Sequence, residues 1–150
     1  MPIEVINSSP IGVMRTTDVT VPNGSTNMNI TNMSSILLGG GVTFQNNSGG
    51  DRLVAPVDGF YRVYISMQVD HNPAQTNSDY RYSAFLEIND KNAVTSGNFL
   101  TGQNEYRNFS VFNSRILELE ADDFVHARIN VTTDSGTDIE LIECGMEKVG

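Results

Sequence analysis

The sequence is poor in cysteine, in tryptophan and in positive charge. A single cysteine, Cys144, excludes an intrachain disulfide, so packing must hold the fold together. Only 9 lysines and arginines stand against 18 acidic residues, which gives a net charge of −9 and a pI of about 4.4. Because phosphate binding draws its affinity from cationic side chains, this balance argues against nucleic acid or an anionic membrane as a partner.

Long apolar runs and helical periodicity are also missing. No stretch approaches the roughly 18 apolar residues of a membrane span. The opening residues, 1–5, show no basic region followed by an apolar run, so we expect no signal peptide and synthesis in a reducing cytosol. A chain of 150 residues with 39% hydrophobic and 18% charged residues is typical of one globular domain.

The sequence does contain many short runs in which apolar and polar residues alternate. The clearest lies between Tyr61 and Val69, where every second residue is apolar, as in a strand with one core face. Runs of this kind predict an all-β sandwich, barrel or jelly roll of about eight to ten short strands. The side chains predicted to line the core are Tyr61, Val63, Ile65, Met67, Leu86, Ile88, Leu117, Leu119, Val125, Ala127 and Ile129.

Turn signals separate these runs. Asn23-Gly24 predicts a hairpin between strands at 17–21 and 27–30, because this pair favours the tight turn that joins antiparallel strands. Gly59 is expected to supply a positive φ at the turn that leads into the central strand. The segments 70–81 and 94–107 are predicted to be the longest loops.

The first fifteen residues carry Pro2 and Pro10 and a weaker pattern than the rest. We therefore divide the chain into an N-terminal segment, 1–15, which is expected to be an extended arm or an edge strand, and a jelly-roll domain, 16–150. An arm of this kind can add to the sheet edge or groove of a partner, which suggests an anchoring segment. A loosely packed terminus is the alternative. The side chains proposed for anchoring are Ile3, Val5, Ile6, Ile11 and Val13.

Three blocks resemble a known superfamily. Arg52–Val63 is similar to the F-x-A-P-x-x-G-x-Y-x-F signature of the complement globular-head and tumour-necrosis-factor (TNF) superfamily. Leu86–Asp90 resembles its L-x-K-N-G strand end, and Leu117–Val125 its L-x-L-x-x-G-D-x-V segment. The chain departs from the pattern at Asp90 and Asp122, where the family usually has glycine. Thr17–Asn23 looks like the phage-encoded branch in particular.

The resemblance implies a TNF-like jelly-roll sandwich of about ten strands that forms a homotrimer. The aromatic residues agree in part, because they exceed what a single core face can use, and a second apolar face needs a partner surface. Phe60, Tyr64, Phe109 and Phe112 are the predicted trimer interface.

Little in the sequence indicates chemistry. No nucleophile elbow, zinc-protease motif or cysteine–histidine pair is present, so we predict no catalytic residue and no enzyme. The aspartates in 122–123 and 134–138 lack the ligand spacing of a calcium loop, and we predict no metal and no cofactor. His126 is expected at a surface or interface. Cys144 is expected to pack as a small buried hydrophobic residue.

Ligand recognition, if present, is expected in the two long loops. Each combines amide and hydroxyl side chains with one aromatic residue, Tyr80 or Tyr106, as carbohydrate sites do. Such a composition is also ordinary for a long loop.

These observations predict a trimeric structural or binding protein of a phage virion surface, assembled in the host cytoplasm. It would be a capsid decoration, a head-fibre knob or the head of a receptor-binding fibre. Its partners would be a capsid or fibre protein of the same virion and a host-surface glycan or protein. The alternative is a secreted or surface-displayed TNF-like ligand or adhesin head.

Overall fold

Two facing β-sheets make up the computed structural model, which describes residues 3–5, 9–17, 19–21, 24–71, 80–95, 99–101, 107–133 and 137–150. These residues contain strands and turns but no helix. The strands are β1 (Ile3–Val5), β2 (Ile11–Thr16), β3 (Val19–Val21), β4 (Gly24–Asn29), β5 (Ser34–Gly39), β6 (Thr43–Gln45), β7 (Arg52–Val54), β8 (Gly59–His71), β9 (Tyr80–Ile88), β10 (Lys91–Thr95), β11 (Phe99–Thr101), β12 (Arg107–Leu119), β13 (Phe124–Thr133) and β14 (Thr137–Lys148).

The first sheet has the order β1-β5-β2-β14-β8-β12, with β3 also paired to β14. The second sheet has the order β10-β9-β13-β7-β6, with β11 also paired to β9 and β4 to β13. Pairing is antiparallel throughout the described strands except between β1 and β5, which are parallel. The all-β sandwich is confirmed. Within the described residues each sheet has seven strands. The total exceeds the eight to ten strands predicted, because short segments such as β1, β3 and β11 form separate strands.

The core lies between the two sheets and consists of the inward residues of the long strands. All the predicted core residues are buried or, for Ile88 and Leu117, partly buried and packed against the buried cluster. The predicted strand phase is therefore confirmed. Three long strands are paired at one end of the first sheet: β8 pairs with the terminal strand β12 along its full length without a bulge, and with β14 on its other side.

The hairpin predicted at Asn23-Gly24 is wrong. β3 pairs with β14 in the first sheet, whereas β4 pairs with β13 in the second. The chain thus crosses between sheets here instead of folding back on itself. A short alternating run buries one face equally well in either sheet, so local sequence does not determine its pairing partner.

The boundary predicted after residue 15 also differs from the structure. β2 lies between β5 and β14 in the first sheet, and its Met14 is fully buried. From Ile11 onwards the predicted arm is therefore part of the jelly roll. Its inward residues are Gly12, Met14 and Thr16, and because only one of them is a large apolar residue, the strand shows little hydrophobic alternation.

The two departures from the superfamily pattern lie at turns with left-handed backbone. Asn89 and Asp90 have φ angles of 50° and 65° between β9 and β10, and Asp122 has a φ of 73° between β12 and β13. Aspartate and asparagine tolerate this region better than most residues. At these two positions, where the superfamily pattern has glycine, the chain therefore adopts a backbone conformation that glycine favours.

Gly59 is needed for space at the start of β8. A Cβ atom there would lie 2.7 Å from the carbonyl oxygen of Gly150 and would also meet the Lys148 side chain. The amide of Phe60 donates to the same Gly150 oxygen at 3.0 Å, so the two segments are held together. The close approach of the C-terminal residues, rather than a turn conformation alone, makes a side chain costly at this position.

Candidate functional site

The outward side of the first sheet carries large apolar side chains in the open. Phe60, Phe112 and Ile116 are 50%, 60% and 54% exposed. They lie on the paired strands β8 and β12, where the register places them opposite Glu118, Ser66 and Arg62 respectively. We call the outward residues Ile11, Val13, Phe60, Tyr64, Phe112 and Ile116 the contact face. A sandwich that is complete in itself would present mainly polar side chains here, so the contact face is a candidate interaction site.

Tyr64 links the apolar and polar parts of the contact face. Its ring lies 6.0 Å from that of Phe112 between centroids, and its hydroxyl donates to Oε2 of Glu143 at 2.8 Å. Arg15 donates to Oε1 of the same carboxylate from Nε and Nη2, at 2.9 and 2.7 Å. Burial, and then the hydrogen bond to Glu143, hold the pKa of Tyr64 far above its usual range. Tyr64 therefore remains a hydrogen-bond donor at any physiological pH.

A small groove lies beside Tyr64 on the contact face, near Gly145. A Cβ atom at Gly145 would lie 2.6 Å from Cε1 of Tyr64 and 2.8 Å from the carbonyl oxygen of Gly12. The absent side chain therefore allows the tyrosine ring to lie over β14. The groove has a volume of about 60 Å³ and is lined by Ile11, Gly12, Val13, Arg62, Tyr64, Met146 and Glu147. Its size suits part of an apolar side chain.

The structure places three of the four predicted interface residues on the outward side of the first sheet. Phe60, Tyr64 and Phe112 lie on the contact face, but Phe109 does not. It is half-buried on the core side, where its ring packs edge-on against Tyr82 with centroids 5.1 Å apart. Phe109 precedes Phe112 by three positions, and residues an odd number apart on a strand face opposite sides. The same rule identifies Ile116, four positions after Phe112, as the residue that the sequence prediction missed.

The proposed anchoring and ligand residues are only partly described. Ile11 and Val13 are half-buried on the contact face, beside the groove. Ile6, Tyr106 and the side chains of Ile3, Val5 and Tyr80 lie outside the described residues. Anchoring through the N-terminal segment and ligand binding at the two tyrosines remain predictions. The second predicted loop does contain a strand, since β11 pairs with β9.

His126 is fully buried, so its expected surface position is wrong. It projects from the outward side of the second sheet, but Gly50 packs over its ring. Its Nε2 atom lies 3.1 Å from Oδ1 of Asp90 and 3.5 Å from Oε1 of Glu87. The strand phase of His126 was therefore predicted correctly, but the segment that covers it comes from a distant part of the chain.

A buried carboxylate that the sequence analysis did not select, Asp51, joins two crossing segments. Its Oδ2 accepts from the amide of Met33 at 2.9 Å, and its Oδ1 from the amide of Asn47 at 3.0 Å. Asp51 thus connects the segment between β4 and β5 to the turn between β6 and β7. The only sequence signal was its position beside two glycines.

The thiol of Cys144 is fully buried, which confirms its prediction as a small core residue. Burial and the neighbouring charge of Glu143 raise the pKa of the thiol, so Cys144 stays protonated and unreactive. In the part of the chain that the structure describes, no group of three histidine, cysteine or acidic side chains is placed to hold a metal ion. The same residues include no helix long and apolar enough to cross a membrane.

The fold defines the class of the protein as a TNF-like jelly roll. An Eiger TNF from S. frugiperda is similar in structure, with a TM-score of 0.51 and 14% identity over 94% of each chain. Murine APRIL is similar with a TM-score of 0.50 and 14% identity over 93% of this chain and 99% of its own. At this level of identity the likeness shows the fold alone. No family model and no curated protein sequence matches the chain.

Proposed function

We propose that the chain is the head of a homotrimer and acts by binding rather than by catalysis. The observation that carries the proposal is the contact face, on which Phe60, Phe112 and Ile116 are each half exposed or more. Several exposed large apolar side chains on one face, next to a polar network, are typical of a protein interface. The superfamily resemblance supports three subunits about a threefold axis.

The contact face offers both halves of a head-to-tail contact. Phe112 and Ile116 project from β12, the terminal strand in the order of the first sheet. The groove near Gly145 is lined by residues of β2, β14 and β8. A rotated neighbour can therefore insert its β12 side chains near the groove of the first subunit. Contacts of this type close into a ring when the rotation permits it.

Binding is favoured over catalysis by the burial of two described side chains that could act as a nucleophile and a base. Cys144 and His126 are both fully buried, and the pKa of the cysteine thiol is raised. Neither side chain can reach a substrate in this geometry. The contact face, in contrast, presents Phe60, Phe112 and Ile116 to solvent, which suits association.

For the setting of this head, we propose a phage virion surface, with assembly in the host cytoplasm. It would serve as a capsid decoration, a head-fibre knob or the head of a receptor-binding fibre. The support is the resemblance of Thr17–Asn23 to the phage-encoded branch. A TNF-like ligand or adhesin head, secreted or surface-displayed, is the second candidate, because Eiger TNF and APRIL share the fold.

The contact face is tested by placing a charge on it. Phe112→Glu and Ile116→Glu should each convert the trimer to monomers with an unchanged circular dichroism spectrum, because a buried, unpaired carboxylate is costly in an interface. Asn130→Glu, on the exposed outward side of β13, is the matched control and should remain trimeric. Light scattering measures the molar mass. Trimers that survive both contact-face substitutions would refute the assignment of the face.

The setting is tested by the genes that flank the coding sequence. Neighbouring capsid or tail genes are expected for a virion protein. A gene that lies among host genes, and whose product is absent from purified virions, would reject the phage setting and favour the ligand or adhesin head.

A further inference from the structure

One flank of the sandwich is formed by two terminal strands that belong to different sheets. In the described part of the chain, β12 pairs only with β8 and β10 pairs only with β9, so each strand has one edge that no described strand covers. Such an edge exposes backbone donors and acceptors that can take up a strand from another molecule. The flank between β10 and β12 is therefore a second possible site of association, separate from the contact face.

Two side chains of β12 bridge this flank. Nδ2 of Asn113 donates to the carbonyl oxygen of Thr95 at 2.7 Å. Nη1 of Arg115 donates to the carbonyl oxygen of Ala93 at 3.0 Å. Both acceptors lie on β10, so two backbone acceptors of this strand already receive donors from β12.

Asn113 also occupies a backbone donor of its own strand. Its Oδ1 accepts from the amide of Ser114 at 2.8 Å. The same side chain thus bonds to one backbone donor of β12 and one backbone acceptor of β10, and an incoming strand would have to displace it from both. The register of β10 against β9 also shifts between Asn92 and Val94, and an irregular edge is a poor template for a further strand.

The bridging pair occupies positions on the core side of β12. Asn113 lies opposite Ile65 and Arg115 lies opposite Val63, and residues directly opposite in a sheet project to the same side. Ile65 and Val63 are fully buried, whereas Asn113 and Arg115 are exposed at the open edge. Alternation alone would place apolar residues at these two positions. An inward-pointing charged residue on a terminal strand is one way in which proteins prevent pairing between edges.

We propose that Asn113 and Arg115 close this flank and prevent β10 and β12 from pairing with a strand of another copy of the chain. Association is then confined to the contact face, so the assembly ends at a closed ring instead of growing further. The proposal rests on the proposed function as a homotrimer and adds what limits its size. Strand β12 takes part in both roles, because Phe112 and Ile116 project outward from the same strand.

The test replaces both bridging side chains in the full-length protein. The double variant Asn113→Ala, Arg115→Ala should form species larger than a trimer, and its weight-average molar mass in sedimentation velocity should rise at least about twofold with concentration. The circular dichroism spectrum and the cooperative thermal transition should be retained, because both side chains are exposed. The loss of an arginine makes the net charge more negative, which opposes association, so a gain in mass would not come from weaker charge repulsion.

A matched control and a measurement of location accompany this test. The double variant Arg81→Ala, Asn130→Ala removes the same two residue types from exposed positions on the outward side of the second sheet, and it should keep the molar mass of the unmodified protein. Hydrogen exchange followed by mass spectrometry locates the association. Residues 91–95 and 111–117 should exchange more slowly in the larger species than in the unmodified protein, because their edges would then be paired.

Two results would overturn the proposal. One is a folded Asn113→Ala, Arg115→Ala protein with the molar mass of the unmodified protein at every concentration, and the other is larger species without slower exchange in β10 and β12. If the double variant does not fold, the single variants Asn113→Ala and Arg115→Ala are judged by the same two criteria. The unmodified protein reports separately on the proposed function. A trimer whose variants remain trimers would reject only the role of the flank, whereas an unmodified protein that is a monomer would reject the proposed assembly.

Discussion

The outward sides of the two sheets both carry phenylalanines, but the two sheets differ in whether other side chains cover these rings. On the second sheet, Arg52 lies over the ring of Phe124 at 3.9 Å and Arg128 over that of Phe85 at 4.2 Å. Arg128 also donates to Glu87 at 3.1 Å. On the first sheet, Phe60 and Phe112 remain half exposed or more. The second sheet thus covers these phenylalanines with arginines of the same chain, whereas the first leaves Phe60 and Phe112 exposed.

This difference explains why composition alone did not identify the interface. Aromatic residues on an outward side are compatible with a monomer when cationic side chains stack on them. They indicate an interface when no such cover exists. The contact face is therefore distinguished by what surrounds its phenylalanines, and the following changes should affect the two sheets differently.

The largest effect is expected from shortening the first sheet. Deletion of residues 2–14 removes most of β2, the strand that pairs with both β5 and β14. The deletion also removes the buried side chain of Met14. We expect no cooperative thermal unfolding transition for this variant. Deletion of residues 2–5 removes only β1, at the edge of the same sheet, and should leave a folded trimer.

These two deletions also separate a structural role from an anchoring role. If the segment before β2 anchors the head, the shorter deletion should abolish attachment to the virion or fibre without changing the molar mass. A 2–14 deletion that folds normally would contradict the position of β2 inside the sheet.

Two residues of β12 compare the core with the contact face. Leu119 is buried, and Leu119→Ala should lower the free energy of unfolding by about 2–5 kcal/mol because it leaves a cavity. Phe112→Ala removes a mostly exposed side chain and should lower the stability of the isolated subunit by less than about 1 kcal/mol. Its main effect should be weaker association. Chemical denaturation and concentration-dependent light scattering measure the two quantities, and equal losses of stability would contradict the comparison.

The arginine cover of the second sheet can be removed without touching the first. Arg128→Ala uncovers Phe85 and leaves the mostly buried carboxylate of Glu87 without this donor. We expect the free energy of unfolding to fall by about 1–3 kcal/mol. The molar mass should stay that of a trimer, because the proposed interface lies on the first sheet. Dissociation of the Arg128→Ala protein into monomers would indicate that the interface lies on the second sheet and would contradict its assignment to the first.

The smallest effect is expected at the turn after β12, where adjacent aspartates have opposite roles. Asp122 has a φ of 73° and an exposed side chain, so Asp122→Gly should raise the stability by about 0.5–1 kcal/mol. Asp123 accepts from the amide of Glu120 at 2.8 Å and from Nδ2 of Asn89 at 2.7 Å. Asp123→Gly should therefore lower the stability. Thermal unfolding of the pair measures both, and a loss at Asp122 would show that its backbone is not strained.

The sequence predicted those parts of the fold that depend on alternation within one strand. The run from Tyr61 to Val69 fixes which side chains enter the core, because one face must be buried. The strand β2 was missed because Gly12 and Thr16 occupy inward positions where a large apolar residue would have revealed the pattern. Phe109 was placed on the wrong face because the aromatic residues were counted without applying the same alternation to β12.

The remaining features depend on contacts between distant segments. His126 is buried because Gly50 packs over it, and Asp51 is buried because two crossing segments donate amides to it. The pairing of β3 and β4 with different sheets is likewise decided by the whole sandwich. No local pattern contains this information, so the buried polar residues were not predictable.

The central claim is that the contact face is covered by other copies of the same chain. The most direct measurement is the molar mass of the unmodified protein by sedimentation equilibrium across micromolar concentrations. We expect a single species of three times the chain mass of 16.4 kDa, and its molar mass should not change on dilution through this range. A mass of one chain at micromolar concentration would contradict the account, because the exposed phenylalanines of the first sheet would then have no partner copy.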